Sequence, residues 1–241
     1  MTSLVAMSTD NEQTNQPSNF PDTPADAAAA AASSTSPLSG NDAVNLASEQ
    51  SKSTAHRNIP QLDLGELPVP DDTANLRQGP SLNDALLALL PLVGVWRGEG
   101  QATENGEQFN FGQQLIFSHD GQDYLNYDSR IWRIDDEGNP VGPDQRETGF
   151  WRISEKDEIE AFFALSSGAV EIMYGQPFNE RAWEVQSAST MVTEQGPKNL
   201  GPGKRLYGLM PNNDLGWVDE RSVDGTELTP HLSAQLTRIA G

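Results

Sequence analysis

The chain has 241 residues, carries 15 Lys and Arg against 35 Asp and Glu for a formal net charge of −20, and contains no cysteine. A field of that sign repels phosphate backbones and anionic bilayer surfaces, which sets aside nucleic acid and membranes as partners. The missing thiols set aside disulfides, thiolate metal sites, Cys-ligated cofactors and Cys nucleophiles.

Composition is uneven along the chain, and it favours one ordered domain behind a long tail. Residues 1–40 are mostly Ser, Thr, Pro, Asp, Asn and Ala with Phe20 the only aromatic, too little apolar surface to offset the entropy of ordering, so disorder is expected there. Met1 to Glu12 lack a basic leader, the Ala27–Ala32 run lacks the Leu-rich core of a signal peptide, and no stretch approaches the roughly 18 apolar residues of a membrane span. A soluble, cytoplasmic protein is expected. From Asn41 to His56 the spacing of Val44, Leu46, Ala47 and Ala55 predicts a short amphipathic helix capped by Asn41 or Asp42. Asn58 to Gln78, with Pro60, Pro68 and Pro70, reads as an extended linker. The expected division is therefore a low-complexity acidic tail and linker over 1–78 and a folded domain over 79–241.

At Pro80 the texture changes. Ser81 is a candidate N-cap with Asp84 three residues on, Leu82, Leu86, Leu89 and Leu90 form an apolar stripe, and Pro91 ends the short helix they predict. Beyond it, strand-like runs recur about every 10 to 15 residues. Phe109, Phe111, Leu115 and Phe117 share a parity, with Gly112 between them as a bend or bulge; Ile159, Ala161, Phe163 and Leu165 make another alternating face, and Val170, Ile172 and Tyr174 a third. Turns such as His119-Asp120-Gly121, Asp136 to Pro140, Ser166-Ser167-Gly168 and Pro211 to Asp214 separate them. Many short antiparallel strands behind one helix predict an all-β fold, and a closed barrel is favoured because closure leaves no exposed edges.

Leu90 to Gly100, with Gly94, Trp96, Gly98 and Gly100 in a G-x-W-x-G-x-G pattern after a Leu-rich helix, resembles the opening signature of the nitrobindin family. Phe117-Ser118-His119, Leu125-Asn126-Tyr127, Arg146 to Ile153 and Gly168 to Ile172 follow in the order the family uses. Leu228 to Leu236 is similar to its closing strand, L-x-x-H-L-x-A-x-L. The similarity spans about residues 82 to 240. It implies a closed, about ten-stranded antiparallel barrel like those of lipocalins and fatty-acid-binding proteins, holding one haem b per chain through His231 as the iron ligand, with Lys198 as a further cofactor contact.

By the same resemblance a ferric haem would bind nitric oxide and isomerise peroxynitrite to nitrate, with no catalytic residue beyond the iron and a dry apolar wall facing the open axial position. Partners would be small molecules, with a homodimer as the candidate assembly. The chain departs from the family after Gly100, where Gln101-Ala102-Thr103-Glu104 replaces an aromatic and a Pro-Thr pair, which bears on pocket shape.

The residues themselves admit other readings. His231 shares its parity with Thr229, Ser233 and Gln235, opposite Leu232, Ala234 and Leu236, which by alternation places it on the surface unless the polar face looks inward. His119 reads as a solvated turn residue, and His56 lies in the tail. Trp96 and Trp151 read as core, and Arg146-Glu147 as a cross-strand ion pair at a barrel rim. The rival to a haem protein is a haem-free barrel holding a fatty acid or another small apolar ligand; a third reading makes the acidic tail of an inert scaffold the working part.

Overall fold

In a computed structural model, residues 40–53, 68–104, 106–197, 200–222, 225 and 227–241 are described. The tail expected to be disordered, the first part of the linker, and both His56 and Lys198 lie outside these residues. Helix α1, Gly40–Ser53, carries Asp42 in its first turn and Lys52 in its last, charges that suit the helix dipole, and buries no residue. Asn41 and Asp42 therefore sit inside the helix that they were expected to cap. Among the described residues no helix is long and apolar enough to cross a membrane.

Ten antiparallel strands then form a closed barrel in which each strand pairs with its neighbour in sequence and β1 closes against β10. They are β1 Gly94–Glu104, β2 Glu107–Ser118, β3 Leu125–Ile134, β4 Pro140–Ile153, β5 Ile159–Leu165, β6 Ala169–Asn179, β7 Ala182–Val192, β8 Gly203–Leu209, β9 Leu215–Arg221 and β10 Thr229–Ala240. The predicted all-β closed barrel is what the chain forms.

The helix ahead of β1 is a 3-10 helix, Asp84–Leu92, capped by the side chain of Asn83, which accepts from the Ala85 N–H, and not by Ser81. Its buried residues, Leu86, Leu89 and Leu92, recur every third position, the period of a 3-10 turn, and Pro91 lies within it. The helix plugs one end of the barrel. The indole N–H of Trp96 donates to the Leu92 carbonyl at 2.8 Å and that of Trp183 to the Ala88 carbonyl at 2.7 Å, so two buried rings tie plug to wall. Above them Phe117, Tyr127, Trp151, Phe163 and Tyr207 pack edge to face, filling this half of the barrel with aromatic surface.

The motif glycines allow close approach at the seam. A Cβ on Gly98 would stand 2.1 Å from the Gln235 carbonyl oxygen, and one on Gly100 2.3 Å from that of Ser233 and 2.4 Å from the Phe111 ring. Gly112 makes no bulge; it gives the Trp132 ring its seat across the β2–β3 pair, where a Cβ would lie 2.3 Å from the indole.

Two further expectations change. On β6 the apolar run Val170, Ile172 and Tyr174 faces out, at 50%, 40% and 44% exposure, while Ala169, Glu171 and Met173 face in. His119 is not a solvated turn residue: it is fully buried, with no hydrogen-bond partner on either ring nitrogen among the described residues. What buries it is the end of the stretch read as linker. Thr73 and His119 exchange backbone hydrogen bonds of 2.8 and 2.9 Å, and the Asn126 amide donates to Asp72 at 2.8 Å.

Burial lowers the pKa of His119 from its ordinary 6.5, against a smaller upward pull from Asp120 and Asp72. A proton taken up by the unfolded chain but refused by the folded one costs stability. Stability is therefore whole above pH 6.5 and declines as the pH falls from there toward the depressed folded-state value. Denaturant unfolding at pH 7.5 and 5.5 is expected to show the loss, by at most about 1.4 kcal/mol per pH unit for one proton. In His119→Leu the loss is expected to shrink; an equal loss in the variant would assign it elsewhere.

Candidate ligand-binding site

The strands set a layer of charge on top of the aromatic half. On β8, Arg205 shares its inward parity with Tyr207; on β9, Asp219 and Arg221 share theirs with Leu215 and Trp217; Glu147 faces in from β4 and Glu171 from β6. All five are buried, at 4% exposure or less. Arg205 grips Glu147 with two parallel bonds of 2.8 Å and reaches Asp219 at 3.3 Å. Asp219 accepts from Arg221 at 2.8 Å, and Arg221 grips Glu171 at 2.7 and 3.0 Å. Gly203, opposite Arg221 on β8, leaves the space for that guanidinium, since a Cβ there would stand 2.7 Å from it.

The pairing decides the protonation states. Burial pushes the Glu147 carboxyl up, but the charge and hydrogen bonds of Arg205 outweigh it and the net shift is downward. Glu171 is pushed up by burial and pulled below its ordinary value by Arg221. Arg205 is raised, its burial outweighed by Glu147 and Asp219. Tyr127, whose hydroxyl donates to Glu147 at 3.0 Å, is pushed well above its ordinary value, first by burial. The pair expected at the rim is thus divided: Glu147 belongs to the buried network, and Arg146 makes an exposed bridge to Asp128 at 2.8 Å.

Above this layer a cavity of about 550 Å³ opens at the end opposite the plug, within the range of small-molecule sites. Arg205, Asp219 and Arg221 line it with Leu165, Leu200, Leu232, Thr103 and His231. The wall is charged and polar as much as apolar, which corrects the expected dry apolar lining.

His231 reaches this cavity through a bulge. Pro230 pairs with Glu220 and Leu232 with Asp219, so His231 is an extra residue that breaks alternation, and it lines the cavity beside Leu232. The bulge shifts parity ahead of it, so Thr229, paired with Arg221, lines the cavity as well, while Ser233 and Gln235 stay on the outer face. Its Nδ1 lies 2.8 Å from the Thr103 carbonyl oxygen on β1. A carbonyl can only accept, so Nδ1 carries a proton, and in the neutral ring the lone pair is on Nε2. This is the tautomer and second-shell support that a metal-ligating imidazole uses. The donor set fits an iron ligand.

The other named site residues fall elsewhere. Gly94, Trp96, Gly98 and Gly100 shape the seam and the plugged end and do not line the cavity, and Lys198 lies outside the described residues. The network of Glu147, Glu171, Arg205, Asp219 and Arg221 was not singled out from the sequence, although period-two counting from Tyr207 and Trp217 points the last three inward.

The model of the THAP4-like, heme-binding beta-barrel domain matches residues 85–238, and the chain belongs to that family. A ferric nitrobindin-like protein of Corynebacterium efficiens is 71% identical over 205 residues, 85% of this chain and 87% of the relative. One from Corynebacterium diphtheriae is 67% identical over 205 residues, covering 85% and 90%. Peroxynitrite isomerase 2 of Mycolicibacterium gilvum is 49% identical over 210 residues, covering 84% and 99%. The crystal structure of Rv2717c from M. tuberculosis superposes with a TM-score of 0.57 at 27% identity, covering 66% of this chain and 99% of that one. The nitrobindin resemblance read from the opening and closing strands is borne out.

Truncating one side of the buried network strands a charge. Glu147→Ala is expected to cost about 3–5 kcal/mol in urea unfolding, whereas Glu147→Leu with Arg205→Met, which removes both charges, recovers part of that loss. A single variant within about 1 kcal/mol of wild type would mean that the Arg205 pair contributes no more than a surface bridge.

Proposed function

We propose that the protein binds one haem b per chain in this cavity through His231 Nε2, and that the ferric form binds nitric oxide and isomerises peroxynitrite to nitrate. The observation that carries the reading is the hydrogen bond from His231 Nδ1 to the Thr103 carbonyl, which leaves Nε2 free in a cavity of ligand size. The family supports the cofactor, and the isomerase name borne by relatives near 49% identity supports the reaction.

Held by His231, a ferric haem would supply Lewis-acid chemistry to the reaction. The chain's own residues do the holding. The β1 carbonyl keeps the His231 ring in one tautomer and one orientation, and adding electron density at Nδ1–H makes Nε2 the better donor. Leu165, Leu200 and Leu232 in the cavity wall would give the macrocycle apolar contact. The haem-free alternative, a fatty-acid binder, gains little here, because a long apolar tail would have to lie on Arg205, Asp219 and Arg221.

Haem added stepwise to the purified full chain is expected to give an absorbance band that saturates at one haem per chain. In His231→Ala the band is expected to be displaced or lost, and in wild type peroxynitrite decay is expected to accelerate with nitrate as product. Stoichiometric binding that is indifferent to His231→Ala would remove the ligand assignment; no stoichiometric binding in wild type would remove the haem reading.

A further inference from the structure

The charge layer under the cavity is unbalanced. Three carboxylates, Glu147, Glu171 and Asp219, face two guanidiniums, Arg205 and Arg221, leaving a net charge of −1 on a fixed, buried network. Neither cation is spare. Arg205 divides its nitrogens between Glu147 and Asp219, and Arg221 divides its own between Asp219 and Glu171. At the mouth the remaining charged lining residue among those described is again acidic, Glu104, whose bridge to Arg133 is exposed and long at 3.5 Å. The low shifts of Glu147 and Glu171 keep both carboxyls ionised at neutral pH.

A fixed, buried negative charge is screened less by salt than one on the surface. An anion entering the cavity meets it with no free cation among the described lining residues to answer; a neutral diatomic does not. We propose that this network sets the ligand preference of the cavity, admitting small neutral ligands and discriminating against anions, so that of a peroxide acid and its anion the site takes the acid. The inference rests on the haem reading, which supplies the position at which such ligands bind, and it makes Glu171 and its partners specificity-determining residues that need not touch the ligand.

The test uses the full chain loaded with ferric haem and measures equilibrium affinity by absorbance for azide, an anion, and for nitric oxide, a neutral ligand. Glu171→Gln removes the surplus charge while keeping a side-chain oxygen within reach of the Ser187 and Thr190 hydroxyls. Ser167→Lys adds a cation at an exposed position of the cavity lining, so it tests the same idea should the buried variant fail to fold. Glu155→Gln, exposed in the β4–β5 turn at the plugged end, removes one charge from the global field only.

Azide affinity is expected to rise roughly tenfold in the first two variants, the effect of one unit charge at about 10 Å and an effective dielectric near 20, with nitric oxide affinity unchanged and Glu155→Gln like wild type. If azide binds equally well to all four proteins, or if azide and nitric oxide affinities move together, the network does not set the preference, although the haem reading stands. If wild type takes up no stoichiometric haem, it is the haem reading that fails, and the preference falls with it.

Discussion

The contact on which the site depends is the seam between the first strand and the last. The ladder that runs from Trp96 opposite Arg238 to Ala102 opposite Leu232 closes the barrel, and the next step along it brings together Thr103 and His231, which are 128 residues apart in sequence. No local propensity places an imidazole against that carbonyl; only closure does. The glycines at 98 and 100 are part of the same event, since a Cβ at either would drive the two strands apart. One residue of irregularity on the other side of β10 then turns His231 from the outer face to the cavity. Closure, glycine seam and bulge together produce a histidine whose tautomer is fixed by backbone.

The interior is layered in an order that follows from what each layer must satisfy. Leucines of the 3-10 plug and the tryptophans that anchor it exclude water from the closed end. The next rings, Tyr127 and Trp217, keep polar tips that reach upward: Tyr127 to Glu147 and the Trp217 indole to Gln113 at 2.8 Å, with Gln113 in turn bonded to Ser129 at 2.9 Å. Those bonds make the transition from apolar packing to the ionic network, which tolerates burial because each charge has a partner. The network in turn is the floor of the cavity. The charge that a ligand meets is therefore set by residues whose first duty is to satisfy one another.

The fold was largely legible in the sequence, because alternation on β2 and β5 and the seam signature both survive in the structure: Phe111, Leu115 and Phe117, and Ile159, Ala161 and Phe163, all face in. Counting failed where a charge displaced an apolar residue from the interior. On β6 the eye follows Val170, Ile172 and Tyr174, yet Glu171 is inside because Arg221 waits for it across the barrel, and that partnership is a property of tertiary structure. His119 was misread for a similar reason: its turn is polar, but Thr73 comes back to cover it. The capping of the short helix was shifted by two residues, from Ser81 to Asn83, the kind of error that local signals leave at an element boundary. His231 was named as the candidate ligand through family resemblance; its alternation argued for the surface, and the bulge that brings it to the cavity has no mark in the residue pattern.

His231 is proposed to bind iron through Nε2, with its Nδ1–H held by the Thr103 carbonyl. Resonance Raman spectroscopy of the reduced, haem-loaded protein measures the iron–histidine stretch directly. A single band is expected in wild type, absent in His231→Gly and restored there by added imidazole at a lower frequency, because free imidazole lacks the backbone acceptor at Nδ1. A band that persists unchanged in His231→Gly would contradict the assignment and place the ligand on another residue.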